Sequence, residues 1–107
     1  MKIQIKKDTL QKGIQIVQNI ITPKSVLPIL SNILIETVKN KIKLTSTDLD
    51  IGISVLLEAE IQEQGAITLP AKRLSAIIRE LPEGEISLVV KKNNVVYIRL
   101  ESCEFKL

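Results

Sequence analysis

The stretch Ile67–Glu85, ITLPAKRLSAIIRELPEGE, decides the fold. Its first residues alternate and then stop at Pro70, as a strand does where proline removes a ladder donor. Leu74, Ile77, Ile78 and Leu81 recur at helical spacing, which predicts a helix over "AKRLSAIIREL" with one apolar stripe. "LPEGE" then turns the chain. "EISLVVK", "NVVYIRL" and "SCEFKL" follow as three expected strands, the first two joined by Lys92-Asn93-Asn94.

The same order stands earlier in the chain. Residues 2–7 alternate, with Ile3 and Ile5 inward. Asp8 or Thr9 can cap a helix running to about Ile21. Leu10, Ile14, Val17 and Ile21 make its stripe, with Ile16 and Ile20 on the flank. Gln11, Lys12, Gln15, Gln18, Asn19 and Thr22 gather opposite, a face rich in amides with one charge. "TPKSVLP" reads as a loop, and "NILIETV" and "KIKLTST" as strands around a turn near Lys39-Asn40. From Leu49 to Ile61 the alternation runs on as one long strand that only Leu56 breaks.

Strand, helix, three strands therefore occurs twice, with helix starts about sixty residues apart. Sequence identity between the halves is slight, so the repeat is one of pattern. Two helices and eight strands predict an α+β domain built from a duplicated β-α-β-β-β unit. Both helices pack side by side on one face of an antiparallel sheet.

Between two of the strands lies "LTSTDLDIGISV", Leu44–Val55, with Asp48 and Asp50 among hydroxyl residues. An aspartate at such a junction accepts hydrogen bonds from nearby backbone N–H groups and fixes a tight corner. A metal site needs further converging ligands, and the chain has no histidine. Asp48 is read as a structural turn residue, with no metal site.

Composition removes other classes. At 107 residues the chain is one domain, and its 45% apolar content is mostly Ile, Leu and Val, with 2% aromatics. That mix suits strands and aliphatic cores and offers little for stacking on bases. Net charge is +3 and the isoelectric point near 9.1, mildly basic and compatible with a polyanion. The single Cys103 rules out an internal disulfide and suits a reducing compartment. Pro23, Lys24 and Pro28 interrupt the uncharged run around them, and "MKIQIKK" lacks a signal-peptide core, so a cytoplasmic protein is expected.

The second helix is the informative one. At ~100° per residue, Lys72 and Arg79 fall about 20° apart on its polar face, while Arg73 sits on the other flank beside Ile77. With Lys12 and Lys24, the shared outer face of the two helices is positive. Acidic residues concentrate on strands and turns, at Glu58, Glu60, Glu63, Glu83, Glu85, Glu101 and Glu104, and only Glu80 interrupts the helical face. Solvation alone accounts for any one of these cations; their segregation suits a phosphate backbone bound without sequence readout.

"LPILSNILIE", "LTSTDLDIGI", "ITLPAKRLSAIIRELPEGE" and "CEFKL", in this order and spacing from Met1, resemble the N-terminal domain of the bacterial DNA polymerase III β subunits, the sliding clamps. The resemblance runs over the whole chain. It implies a DNA-clamp domain spanning 1–107, the first of three in a subunit, with the second and third lying outside this sequence. Two subunits would close head to tail into a homodimer ring around double-stranded DNA. Helices would line the hole, and the ring would hold DNA polymerase III and its clamp loader without catalysing anything and without a cofactor. By family position Lys24, Lys12, Lys72 and Arg79 are the DNA contacts, and Arg73, Ile77 and Phe105 the subunit interface. Glu101 and Glu104 depart from the basic residues that clamps often carry on this edge.

Three functions compete on the residues. The first is a DNA-encircling scaffold; the second a metal-dependent enzyme using Asp48 and Asp50, against which the missing histidine counts; the third a protein-interaction module that assembles through edge strands. The corner separates the second from the others. Asp48→Ala is expected to lower stability by about 1–3 kcal/mol through unpaired backbone donors, while Mg²⁺ or Ca²⁺ leaves the melting temperature of the wild type unchanged. A metal-dependent rise in that temperature would overturn the structural reading.

Overall fold

Strand β1 (Lys2–Lys6) runs straight into helix α1 (Lys7–Gln18), with no linking residue between them. The computed structural model describes residues 1–18, 32–47 and 52–107. Strands β2 (Asn32–Val38), β3 (Lys41–Thr47), β4 (Gly52–Glu58), β5 (Glu60–Glu63) and β6 (Ala66–Pro70) follow. Helix α2 (Ala71–Glu80) and strands β7 (Glu85–Val90), β8 (Val96–Leu100) and β9 (Cys103–Lys106) complete the order.

The expected antiparallel layer is two sheets, of order β5-β1-β7-β8-β9 and β4-β3-β2-β6. Each half lends its first strand to the other. β1 pairs with β7 through Ile3↔Leu88 and Ile5↔Ile86, and β6 pairs with β2 through Ile67↔Ile35 and Leu69↔Ile33. Every pairing is antiparallel. The duplicated unit is present, and its halves are interlocked.

Nine strands stand among the described residues where eight were expected. The alternation ending at Ile61 is divided at Ala59: β4 pairs with β3, while β5 crosses to the other sheet and pairs with β1. The periodicity survives the crossing because both segments face one interior, Leu57 opposite Ile42 and Ile61 opposite Ile3. Leu49 and Ile51, at the start of that run, lie outside the described residues.

The interior is a single aliphatic cluster. It takes Ile3 and Ile5 from β1, Leu10, Ile14 and Val17 from α1, and Ile33, Ile35, Ile42 and Leu44 from β2 and β3. From the second half come Leu69, Leu74, Ile78, Leu81, Ile86, Leu88, Val96, Ile98 and Leu100. Burying a side chain of this size contributes about 1.5–3 kcal/mol, so the cluster is the main favourable term. Among the described residues the expected stripes are buried except at Ile77, which is partly buried, and the flanking Ile16 is 44% exposed. Ile20 and Ile21 lie outside the described residues.

Three local features set the geometry. Helix α1 begins at Lys7, ahead of the expected caps, and Lys7 is buried. Its Nζ donates to the carbonyl of Leu81 at the end of α2, and its N–H donates to Gly84 O at 2.8 Å. Gly84 holds φ 148°, a backbone region where glycine avoids the penalty of a Cβ. Buried Ser46 on β3 donates its hydroxyl to the carbonyl of Val17 and ties α1 to the second sheet.

Gly13 is the third. A Cβ built there would lie 2.5 Å from Leu57 Cδ1 and 3.1 Å from Leu44 Cδ1, so α1 approaches β3 and β4 more closely than a larger residue allows. Glycine inside a helix costs about 1 kcal/mol against alanine; the close approach accounts for it. Gly13→Val is expected to destabilise by about 1–3 kcal/mol through overpacking, read by urea denaturation. A variant as stable as the wild type would remove this constraint.

Candidate nucleic-acid interface

Helices α1 and α2 pack against each other, with a groove between them lined by Gln11, Ile14, Gln15, Ser75, Ile78 and Arg79. The same wheel positions that bury Leu10, Ile14 and Val17 in α1 bury Leu74, Ile78 and Leu81 in the second half, so the helices turn corresponding faces outward. Lys12, Lys72, Arg73 and Arg79 are all exposed. Arg79 borders the interhelical groove opposite Gln11 and Gln15. Lys24 lies outside the described residues, as do Asp48 and Asp50.

The face is less purely cationic than the sequence pattern implied. Asp8 sits inside the first turn of α1 and is exposed, so Asp8 joins Glu80 among its acids. The helix starts at Lys7, two or three residues ahead of the start its caps predict, and that moves Asp8 from cap to body. The acidic residues named above otherwise fall on strands and turns and are exposed there.

Helix α2 breaks a local rule. Its first turn carries Lys72 and Arg73 and no acid, and Pro70 at the N-cap makes no side-chain cap bond. The positive end of the helix dipole disfavours cations there by about 0.3–1 kcal/mol each. Arg79 in the last turn, by contrast, complements the dipole. Nothing in the packing repays Lys72, which is solvated.

The other flank of α2 faces the end of the chain's last strand. Arg73 shares a groove with β6, Asn94 and Leu107. Ile77 stands where α1 has Gly13, and it is partly buried against the core rather than closely covered. Phe105, opposite Ile98 on β9, is likewise partly buried. β9 is an outer strand of its sheet. Glu104 is bound within the chain, accepting from Arg99 Nε at 3.0 Å and Nη2 at 2.8 Å. Glu101 occupies the β8–β9 turn with φ 53°.

No group of three or more His, Cys, Asp or Glu that could hold a metal stands among the described residues, and no described helix is long and apolar enough to cross a membrane.

An aliphatic α+β domain of two interlocked β-α-β-β-β units, with a cation-bearing pair of helices, defines the class. The family model for the DNA polymerase III beta subunit, N-terminal domain, matches residues 1–107, and the chain belongs to that family. It is 37% identical over 92 residues to the beta sliding clamp of Synechocystis sp., covering 84% of this chain and 24% of that relative. To the beta sliding clamp of Chlamydia muridarum it is 31% identical over 107 residues, covering 100% of this chain and 29% of the relative. The solved DNA polymerase sliding clamp from Caulobacter crescentus superposes with a TM-score of 0.92 at 34% identity, covering 100% of this chain and 30% of that one. The sliding clamp from Bacillus subtilis gives 0.93 at 29% identity, covering 100% and 30%. The chain thus spans less than a third of the length of these relatives.

The β9 edge generates a prediction. An outer strand bearing a half-covered Phe105 is a template for pairing, and the 107-residue chain is expected to self-associate at high concentration. Phe105→Glu, with folding checked by circular dichroism, reduces that association in sedimentation. A strictly monomeric wild type, or a mutant that associates equally well, removes the edge from consideration.

Proposed function

We propose that this chain is the DNA-facing N-terminal domain of a sliding clamp, which tethers DNA polymerase III to duplex DNA for processive synthesis and has no catalytic role of its own. The observation that carries this reading is the exposure of Lys12, Lys72 and Arg79 on the helix pair, with Lys72 set against the helix dipole and most acids on strands and turns. Lys12, Lys72 and Arg79, with Lys24, contact phosphates from this face. The contacts are to backbone charge rather than base edges, since the face offers neither a reading helix nor aromatic platforms. Such contacts are weak, salt-sensitive and mobile along the duplex, as a tether that slides requires.

Ring closure is the second element of the proposal. Arg73, Ile77 and Phe105 form the flank that meets a partner subunit, so that two subunits encircle the DNA in the cytoplasm, with the polymerase and clamp loader held by parts of the protein outside this chain. The partial exposure of Ile77 on α2 and Phe105 on the outer strand β9 supports it, because such apolar surface gains from being covered.

In the full-length protein, replacing Lys24, Lys72 and Arg79 together by Ala is expected to weaken DNA association about equally across sequences. The salt slope should fall by up to about 0.9 per lost phosphate contact. Fluorescence anisotropy with several unrelated duplexes over a salt series measures both. An affinity loss confined to one sequence would rule out backbone tracking.

A further inference from the structure

A row of side chains crosses the five-stranded sheet on its outer face: Glu63, Lys2, Val89, Tyr97 and Lys106, each opposite the next in register. The neighbours Ile3, Leu88 and Ile98 point inward and are buried, so this row faces away from the core. Lys91 lies over the Tyr97 ring, its Nζ 6.0 Å from the centroid. Strands are spaced about 4.8 Å apart, which puts Lys106 one strand from Tyr97 and Lys2 two strands away. In the next row Glu104 is paired with Arg99 through Nε and Nη2. Glu63 stands directly opposite Lys2 and offsets it in part, which leaves Lys91 and Lys106 as the cations beside Tyr97. A shallow depression lined by Ser87, Val89, Lys91, Tyr97, Arg99 and Glu104 opens there.

We propose that this outer face of β7, β8 and β9 docks an acidic linear segment of a partner protein. Its carboxylates meet Lys2, Lys91 and Lys106, and an apolar side chain rests on Val89 and Tyr97. Charge complementarity names the occupant: Lys91 and Lys106 flank one half-buried ring, Glu104 beside them is bonded to Arg99, and Lys2, opposite Glu63, adds a third cation two strands away. Side chains on one face of an extended peptide recur about every 7 Å, so two repeats span the three strand spacings, about 14 Å, between Lys106 and Lys2. A nucleic-acid single strand is the poorer fit, because such strands are held by successive aromatic platforms and Tyr97 is the only tyrosine in a chain with no tryptophan. The face lies on the side of the sheet away from the core and helices, so the inference stands independently of the DNA-tethering role.

Because Tyr97 is the sole tyrosine and tryptophan is absent, the tyrosine-band ultraviolet emission of the chain reports on this spot directly. The probe is a short synthetic peptide of glutamates around one central leucine, titrated at low salt and followed by Tyr97 emission and by backbone amide NMR shifts. Expected are an emission change, shifts clustered at Lys91, Tyr97 and Lys106, and weakening on the order of tenfold in Lys91→Glu/Lys106→Glu, as loss of two exposed charge contacts predicts. Both substitutions are at exposed positions, and circular dichroism verifies the fold. Absence of shifts at millimolar peptide, shifts confined to α1 and α2, or undiminished binding by the double variant each overturns the proposal. So does an oligonucleotide that displaces the peptide and holds this face more tightly.

Discussion

The exchange of first strands between the two halves is the constraint on which the rest of the molecule depends. β1 completes the sheet of the second half and β6 that of the first, so neither unit can bury its inner face alone. The pairs Ile3↔Leu88 and Ile35↔Ile67 join residues far apart in sequence, and non-local pairing of this kind slows folding because loop closure precedes any reward. During synthesis the first half would expose unpaired β1 and β2 edges until residues 66–90 emerge.

Much of this was legible in the residues. Periodicity identified both helices, their buried stripes and nearly every strand, because side-chain burial follows backbone period whatever the partner. It could not identify partners. The run from Leu49 to Ile61 reads as one strand because both sheets face the same interior, so the crossing at Ala59 leaves the alternation unbroken. Lys7 was unreadable for a different reason: a lysine at a strand end is ordinarily solvated, and its burial depends on a carbonyl in the other half of the chain. Of the site, the exposure of Lys12, Lys72, Arg73 and Arg79 followed from the wheels, whereas the place of Asp8 depended on where α1 begins. Glu104 was legible as an edge acid but not as the partner of Arg99.

Acids are sparse on the helices, where Asp8 and Glu80 stand among the described residues, while most acids stand on strands and turns. Cations stand on both layers: Lys12, Lys72, Arg73 and Arg79 on the helices, and Lys2, Lys91 and Lys106 on the outer sheet face that carries Tyr97. Under the two proposals these surfaces lie on different faces of the domain and can be engaged at the same time.

The buried Lys7 has a further consequence. Its ammonium grips the last carbonyl of the second helix, while its own amide is held by Gly84. The start of one helix is thereby pinned to the end of the other, and Ser46 pins the first helix to the sheet beneath it. The helix pair behaves as a comb whose spine is fixed rather than as two separate fingers. Under the proposed function the backbones that carry its cations are spaced in advance, so only side-chain freedom is surrendered on contact.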